Sequence, residues 1–121
     1  MKKILPIIAS LAIGIPAMAQ SDTIPAQFPG GSEALDSYIA KNLTYPQPSI
    51  NNGIEGVVHL KFLVKTDGSL NNITIVRLVD PDLESEAVRL VKNMPAWTPA
   101  TVEGKPVDSE SSLQITFTLP E

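Results

Sequence analysis

Val58, Leu60, Phe62 and Val64 stand at alternate positions, interleaved with His59, Lys61, Leu63 and Lys65. A period of two places one set of side chains on each face of an extended strand, so this segment is a strand with one buried face. The rest of the chain must therefore supply neighbouring strands and a cover for that face. Thr66-Asp67-Gly68-Ser69 has the composition of a tight reversal, with Gly68 free to take positive φ. The return strand, about Asn72 to Val79, presents Ile73 and Ile75 to the core. Val76, Leu78 and Val79 then put apolar groups on both parities, which predicts a bulge or a change of partner near Val76-Arg77. Leu113, Ile115, Phe117 and Leu119 alternate with Gln114, Thr116 and Thr118, giving a third strand over Ser112 to Leu119.

Two helices complete the pattern. Ala34, Leu35, Tyr38, Ile39 and Leu43 recur at helical spacing, with Glu33 near the positive end of the dipole, predicting a helix from about Ser32 to Lys41. Tyr45-Pro46-Gln47-Pro48 breaks it, because proline disfavours the α region in the residue before it. Asn51-Asn52-Gly53 reads as a turn. Asp80 suits an N-cap and Pro81 the first helical position, followed by an apolar stripe of Leu83, Ala87, Leu90, Val91 and Met94. This second helix ends before Pro95, and Thr98 to Val107 reads as an irregular or short hairpin turning at Glu103-Gly104. There are no internal repeats and no low-complexity tract. The order helix, strand, strand, helix, strand predicts an α+β domain: a small three-stranded antiparallel sheet with two helices packed on one face. The strand order is second, first, last, and the last strand lies at an edge.

Lys2 and Lys3 precede an apolar run from Ile4 to Met18 and the small-residue site Ala17-Met18-Ala19. This is the form of a cleavable secretory leader over residues 1–19. The run is shorter than the ~20 apolar residues of a membrane span, so no stable span is expected once the leader is removed. An uncleaved anchor is the competing reading. Residues 20–29 then form a short lead-in and 30–121 one domain. Without the leader, seven basic residues face thirteen acidic ones, a net charge of −6. Such a surface repels phosphate backbones, and nucleic acid is excluded as a partner class. With no cysteine in the chain, disulfides, thiolate metal sites and a cysteine nucleophile are ruled out.

Catalytic constellations are equally sparse. His59, the single histidine, falls on the polar parity of the first strand, where a solvent-facing residue is expected. No G-x-S-x-G is present to form a nucleophile elbow. Asp80, Asp82, Glu84 and Glu86 imitate a calcium loop, but Ser85 stands where glycine is needed and Val91 where a bidentate glutamate belongs. Stabilisation of a helix N-terminus explains the same acids. No pair among the remaining carboxylates is singled out. No metal, cofactor or catalytic residue is expected, and the chain does not read as an enzyme. Asn42-Leu43-Thr44 and Asn72-Ile73-Thr74 match a common glycosylation tripeptide, the second inside a predicted strand. Trp97 would be exposed as a binding platform or buried as a core anchor, and its place between a helix end and two prolines predicts the anchor.

One set of motifs remains: Phe28-Pro29-Gly30-Gly31, Tyr45-Pro46, Gly53-Ile54-Glu55-Gly56, Asp67-Gly68, Asp80-Pro81-Asp82-Leu83, then Trp97 with Pro99, and Gly104-Lys105-Pro106-Val107. In this order and spacing the chain resembles the C-terminal domain of TonB-type proteins. The resemblance covers everything after the leader and implies a three-stranded antiparallel sheet backed by two helices, located in the periplasm. It also implies recognition by strand addition, in which an extended segment of an outer-membrane TonB-dependent transporter, or of another envelope protein, pairs with an exposed sheet edge. The last strand, Ser112, Leu113, Gln114, Ile115, Thr116, Phe117, Thr118 and Leu119, is the expected edge. The motif residues themselves are expected to be structural. The ten residues from Gln20 to Pro29 reach only ~35 Å when extended, so the domain is not expected to transduce energy by itself. A scaffolding domain that forms strand-exchanged homodimers is the alternative.

Overall fold

The computed structural model describes residues 22–120. The predicted leader and its cleavage site lie outside the described residues. The central strand, β2 (Gly56–Val64), pairs antiparallel with β3 (Leu70–Arg77) on one side and β6 (Ser109–Phe117) on the other. This is the predicted order. Val58, Leu60, Phe62 and Val64 are all buried to within 1%. The hairpin between β2 and β3 closes through Gly68 N–H to the Lys65 carbonyl at 2.8 Å and Lys65 N–H to the Ser69 carbonyl at 2.9 Å. Gly68 has φ of +88°, and a Cβ there would lie 2.3 Å from the Trp97 carbonyl oxygen. Here glycine supplies both the reversal and the clearance.

β3 begins earlier and ends earlier than the apolar pattern suggests, and it is irregular twice. His59 pairs with Arg77 and Leu60 with Ile75, which leaves Val76 extruded as the predicted bulge. Lys61 pairs with Thr74 and Leu63 with Asn71, so Asn72 and Ile73 together oppose Phe62. Asn72 takes φ of +55° at this second bulge, a conformation asparagine tolerates better than most residues.

Both predicted helices form, as α1 (Ser32–Asn42) and, following the short helix described next, α3 (Pro81–Lys92). Asp80 caps α3 by accepting from the N–H groups of Asp82 and Leu83, each at 3.1 Å. The segment read as a break and a turn instead contains a one-turn helix, α2 (Gln47–Asn51). Its prolines fit because Pro46 is an extended N-cap and Pro48 lies in the first turn, where an N–H has no acceptor within the helix. Ser49 is fully buried on α2 and its hydroxyl meets the Asp80 carboxylate at 3.3 Å.

A second small sheet joins β1 (Thr23–Ile24), β4 (Ala100–Val102) and β5 (Lys105–Val107), in the order β1-β4-β5. Glu103 and Gly104, at φ of +51° and +79°, make the tight turn between β4 and β5. β1 belongs to the segment read as a lead-in. It pairs with β4, Gln27 exchanges two backbone bonds with Thr98 at 3.0 and 2.8 Å, and Phe28 is buried. The two sheets meet near Trp97, which is 6% exposed and stands edge-on to Phe62 at 5.2 Å and to Phe28 at 6.1 Å.

α1 and α3 are clasped by Glu86, one of the acids read as serving only the helix dipole. Its carboxylate accepts from the Thr44 N–H at 2.7 Å and from Arg89 Nε and Nη2 at 2.7 and 2.6 Å, and Arg89 also reaches the Asn42 carbonyl at 2.9 Å. Burial pushes the Glu86 carboxyl up, but the Arg89 and Thr44 hydrogen bonds and the guanidinium charge outweigh it, holding it below its ordinary value. A lowered folded pKa means stability present above the unfolded value near 4.5 and lost as pH falls through the lower folded one. Glu86→Gln is expected to cost ~1–3 kcal/mol at neutral pH. It should also flatten the acid limb of stability, as read by denaturant unfolding at stepped pH. An acid limb identical to the parent's would show that other carboxylates carry it.

Candidate partner-binding edge

Two strands border the main sheet, and they differ in kind. β3 carries both bulges, which bend a strand and interrupt its ladder. β6 runs against β2 through nine consecutive pairs, from Val64 with Ser109 to Gly56 with Phe117, without a register shift. Among the described residues no strand pairs with the other side of β6.

The hydrogen-bond directions along β6 follow from its neighbours. Lys65 sends its N–H toward β3, to Ser69, whereas Thr66 sends its N–H to the Asp108 carboxylate at 3.0 Å, on the β6 side. Because these directions alternate along a strand, the even-numbered residues of β2 bond to β6. Their partners Ser109, Ser111, Leu113, Ile115 and Phe117 are therefore the inward-bonding residues of β6. Leu119 continues this parity, donating its N–H to Glu55 Oε2 at 2.7 Å. Glu110, Ser112, Gln114 and Thr116 thus direct their N–H and C=O groups out of the sheet edge.

Side chains divide the same way. Ile115 and Phe117 are buried to 1% and Leu113 is half-buried, while Ser112, Gln114, Thr116 and Thr118 are exposed. Of the eight residues expected at the edge, Ser112 to Phe117 lie in the strand. Thr118 and Leu119 follow it, and the strand instead begins three residues earlier, at Ser109. On the helix-free face His59 stands between Arg77 and Gln114. Beside it, exposed ion pairs join Lys61 to Glu110 at 4.0 Å and Lys65 to Asp108 at 3.1 Å. Pairs of this kind contribute little stability and leave the face open to solvent.

The motif residues all lie outside β6. Phe28 packs on Tyr38 and Trp97, and Pro29, Gly30 and Gly31 turn the chain into α1. Tyr45 stands edge-on to Phe117 at 5.4 Å and donates its hydroxyl to the Ile54 carbonyl. Pro46 caps α2 and Gly53 turns out of it, while Gly56 begins β2 against Val79. Asp67 accepts from the Ser69 N–H and hydroxyl at 2.9 and 2.7 Å. Pro99 leads into β4, Gly104 makes its turn, and Pro106 pairs with Thr101. These residues pack the core or shape turns, and none of them lies in β6.

Comparison with known proteins decides the family. The family model described as Gram-negative bacterial TonB protein C-terminal matches residues 41–119. The chain belongs to that family. TonB C-terminal domains are envelope domains of Gram-negative bacteria, linked to TonB-dependent transport. Two NMR structures of the Helicobacter pylori TonB C-terminal domain are similar in fold at 24% identity. One has a TM-score of 0.56, with 89% of this chain and 97% of that one covered, and the other 0.55, with 74% and 94%. The NMR structure of the Pseudomonas aeruginosa TonB C-terminal domain has a TM-score of 0.56 at 19% identity, covering 86% of this chain and 93% of its own. These likenesses concern the fold alone. No curated protein sequence matches the chain. Among the described residues no helix is long and apolar enough to cross a membrane.

Proposed function

We propose that this TonB C-terminal domain is a periplasmic binding module that takes a short extended segment of an outer-membrane TonB-dependent transporter, or of another envelope protein, as a fourth strand beside β6. The contrast between the two edges carries this reading. An incoming strand needs an evenly spaced row of free amides and carbonyls, and Ser112, Gln114 and Thr116 supply one on a strand whose nine pairs run without a shift. The bulges of β3 spoil the same row on the opposite side. Main-chain bonds supply the affinity, which suits a module reading a backbone before it reads side chains.

Titrating the isotopically labelled chain with an extended transporter peptide tests this. Amide shifts should concentrate on Ser111 to Phe117, and shifts at the Trp97 corner with β6 silent would rule strand addition out. A second copy of the chain offers an identical free edge, so a strand-paired homodimer would also use β6. Sedimentation over a range of concentrations separates the two, because self-pairing grows with the chain's own concentration and competes with added peptide.

A further inference from the structure

Apolar exposure is concentrated at one corner of the domain, where β3 gives way to α3. Ile24, Ile50, Val76, Leu78, Val79 and Val102 are the large apolar side chains exposed among the described residues, and three of these six fall within the four positions 76–79. Single residues of this kind are ordinary on any surface, whereas a contiguous group marks a contact site. Leu78 is 81% exposed and Val76 59%. The bulge produces the second of these, since His59 pairs with Arg77 and Leu60 with Ile75, leaving Val76 and Arg77 together against His59. Val79 is pinned against Gly56, where a Cβ would lie 2.6 Å from Val79 Cγ1.

Charge sets the corner apart as well. Arg77, between Val76 and Leu78, is exposed and makes no ion pair among the described residues. The lysines of the same sheet, Lys61 and Lys65, are paired with Glu110 and Asp108. The acids that follow along the chain are engaged with backbone: Asp80 caps α3, and Glu84 accepts from the Val79 and Asp80 N–H groups. In a domain of net charge −6 without its leader, this corner offers a cation flanked by two aliphatic side chains.

We propose that Val76-Arg77-Leu78 is a second docking site, which takes a protein segment presenting a carboxylate between aliphatic side chains. The carboxylate meets the planar Arg77 guanidinium, and the aliphatic groups cover Val76 and Leu78, removing apolar surface from water. The bulges of β3 interrupt its ladder, so recognition here runs through side chains and not through an added strand. An anionic membrane surface shares this chemistry, but one unpaired cation does not offset the repulsion between such a surface and a domain of charge −6. The site is independent of the β6 edge. β2 separates β3 from β6, which sets the two ~10 Å apart at ~4.8 Å per strand, so both can be occupied at once.

The test titrates the isotopically labelled full chain with three short acetylated, amidated peptides. The first alternates leucine with glutamate, the second has glutamine in place of glutamate, and the third has serine in place of leucine. Amide shifts from the first should concentrate on Val76 to Leu78 and on His59 opposite them. The other two should bind at least about threefold more weakly, the scale of one exposed ion pair or of partial apolar cover. Arg77→Glu and Leu78→Ser, both at exposed positions outside the core, should each abolish the shifts at the corner and leave any shifts on β6 unchanged. Equal affinity for the glutamine peptide, or shifts on β6 alone, would overturn the site. Sedimentation with phosphatidylglycerol vesicles that Leu78→Ser abolishes would make lipid the occupant, and self-association of the chain alone that Leu78→Ser abolishes would make it a second copy. Either result would overturn the acidic segment, and the expected result is neither.

Discussion

Trp97→Ala is expected to lower the unfolding free energy by ~3–5 kcal/mol, the range for removing a large buried aromatic. For a domain held by ~5–15 kcal/mol, that is a large share of the whole. Trp97 is the joint of the fold. Its ring is edge-on to Phe62 of β2 and to Phe28 of the segment before α1, and its backbone N–H donates to the Gly68 carbonyl at 2.9 Å across the β2–β3 hairpin. The indole Nε1 is buried without a hydrogen-bond partner among the described residues. Trp97→Phe, which removes that unpaired N–H while keeping an aromatic ring, should therefore cost distinctly less. Denaturant unfolding with an unchanged slope gives both values. An alanine variant with the parent's midpoint and no peptide binding would make Trp97 a contact residue.

Much of this architecture is legible in the chain because local signals and tertiary demands agree there. Val58 to Val64 alternates and is buried on one parity. Asp80-Pro81 is a helix start in composition and in geometry. The Val76 bulge is visible as apolar residues on both parities. What escaped has local signals that are weak or point the other way. α2 contains a proline, and a composition reading hears a break where the first helical turn has no N–H to lose. β1 has two residues, too few for any period, and is held by Val102 and Thr101, which lie far along the chain. Asn72 adopts positive φ inside a strand, and nothing beside it announces a second bulge. Glu86 was fully explained by the helix dipole, so its clasp with Thr44 and Arg89, which depends on α1 lying alongside, left no trace in the sequence.

The candidate edge shows the same division. Leu113 to Phe117 alternates and so reads as a strand, but Ser109-Glu110-Ser111-Ser112 offers no apolar residue, and its strand character comes from pairing with Lys61 to Val64. Which amides point outward is a property of register, fixed by the Lys65 and Thr66 bonds on either side of β2. Alternation in a single strand carries no such information, since it distinguishes faces of the sheet and not edges.

That register makes Thr116 the most discriminating position for the proposed mechanism. Thr116 pairs with Val57 and directs its N–H away from β2, and its side chain is exposed. Proline there removes no bond of the β2–β6 ladder and sits on an edge strand with its missing N–H toward solvent, where proline is tolerated. Thr116→Pro should therefore remain folded, as circular dichroism and a retained unfolding transition would show. Ile115→Pro, one residue away, removes an inward bond to Val58 and should unfold the sheet. Binding should respond in the opposite sense to stability. Thr116→Pro deletes one donor of the free edge and sets a ring where the incoming backbone must approach, so peptide affinity should fall by more than about tenfold, beyond the ~1.4 kcal/mol that tenfold represents. Thr116→Ala keeps the N–H and should stay within about twofold of the parent, because the contact is to the backbone. If folded Thr116→Pro binds the transporter peptide as tightly as the parent, the partner does not add as a strand to β6.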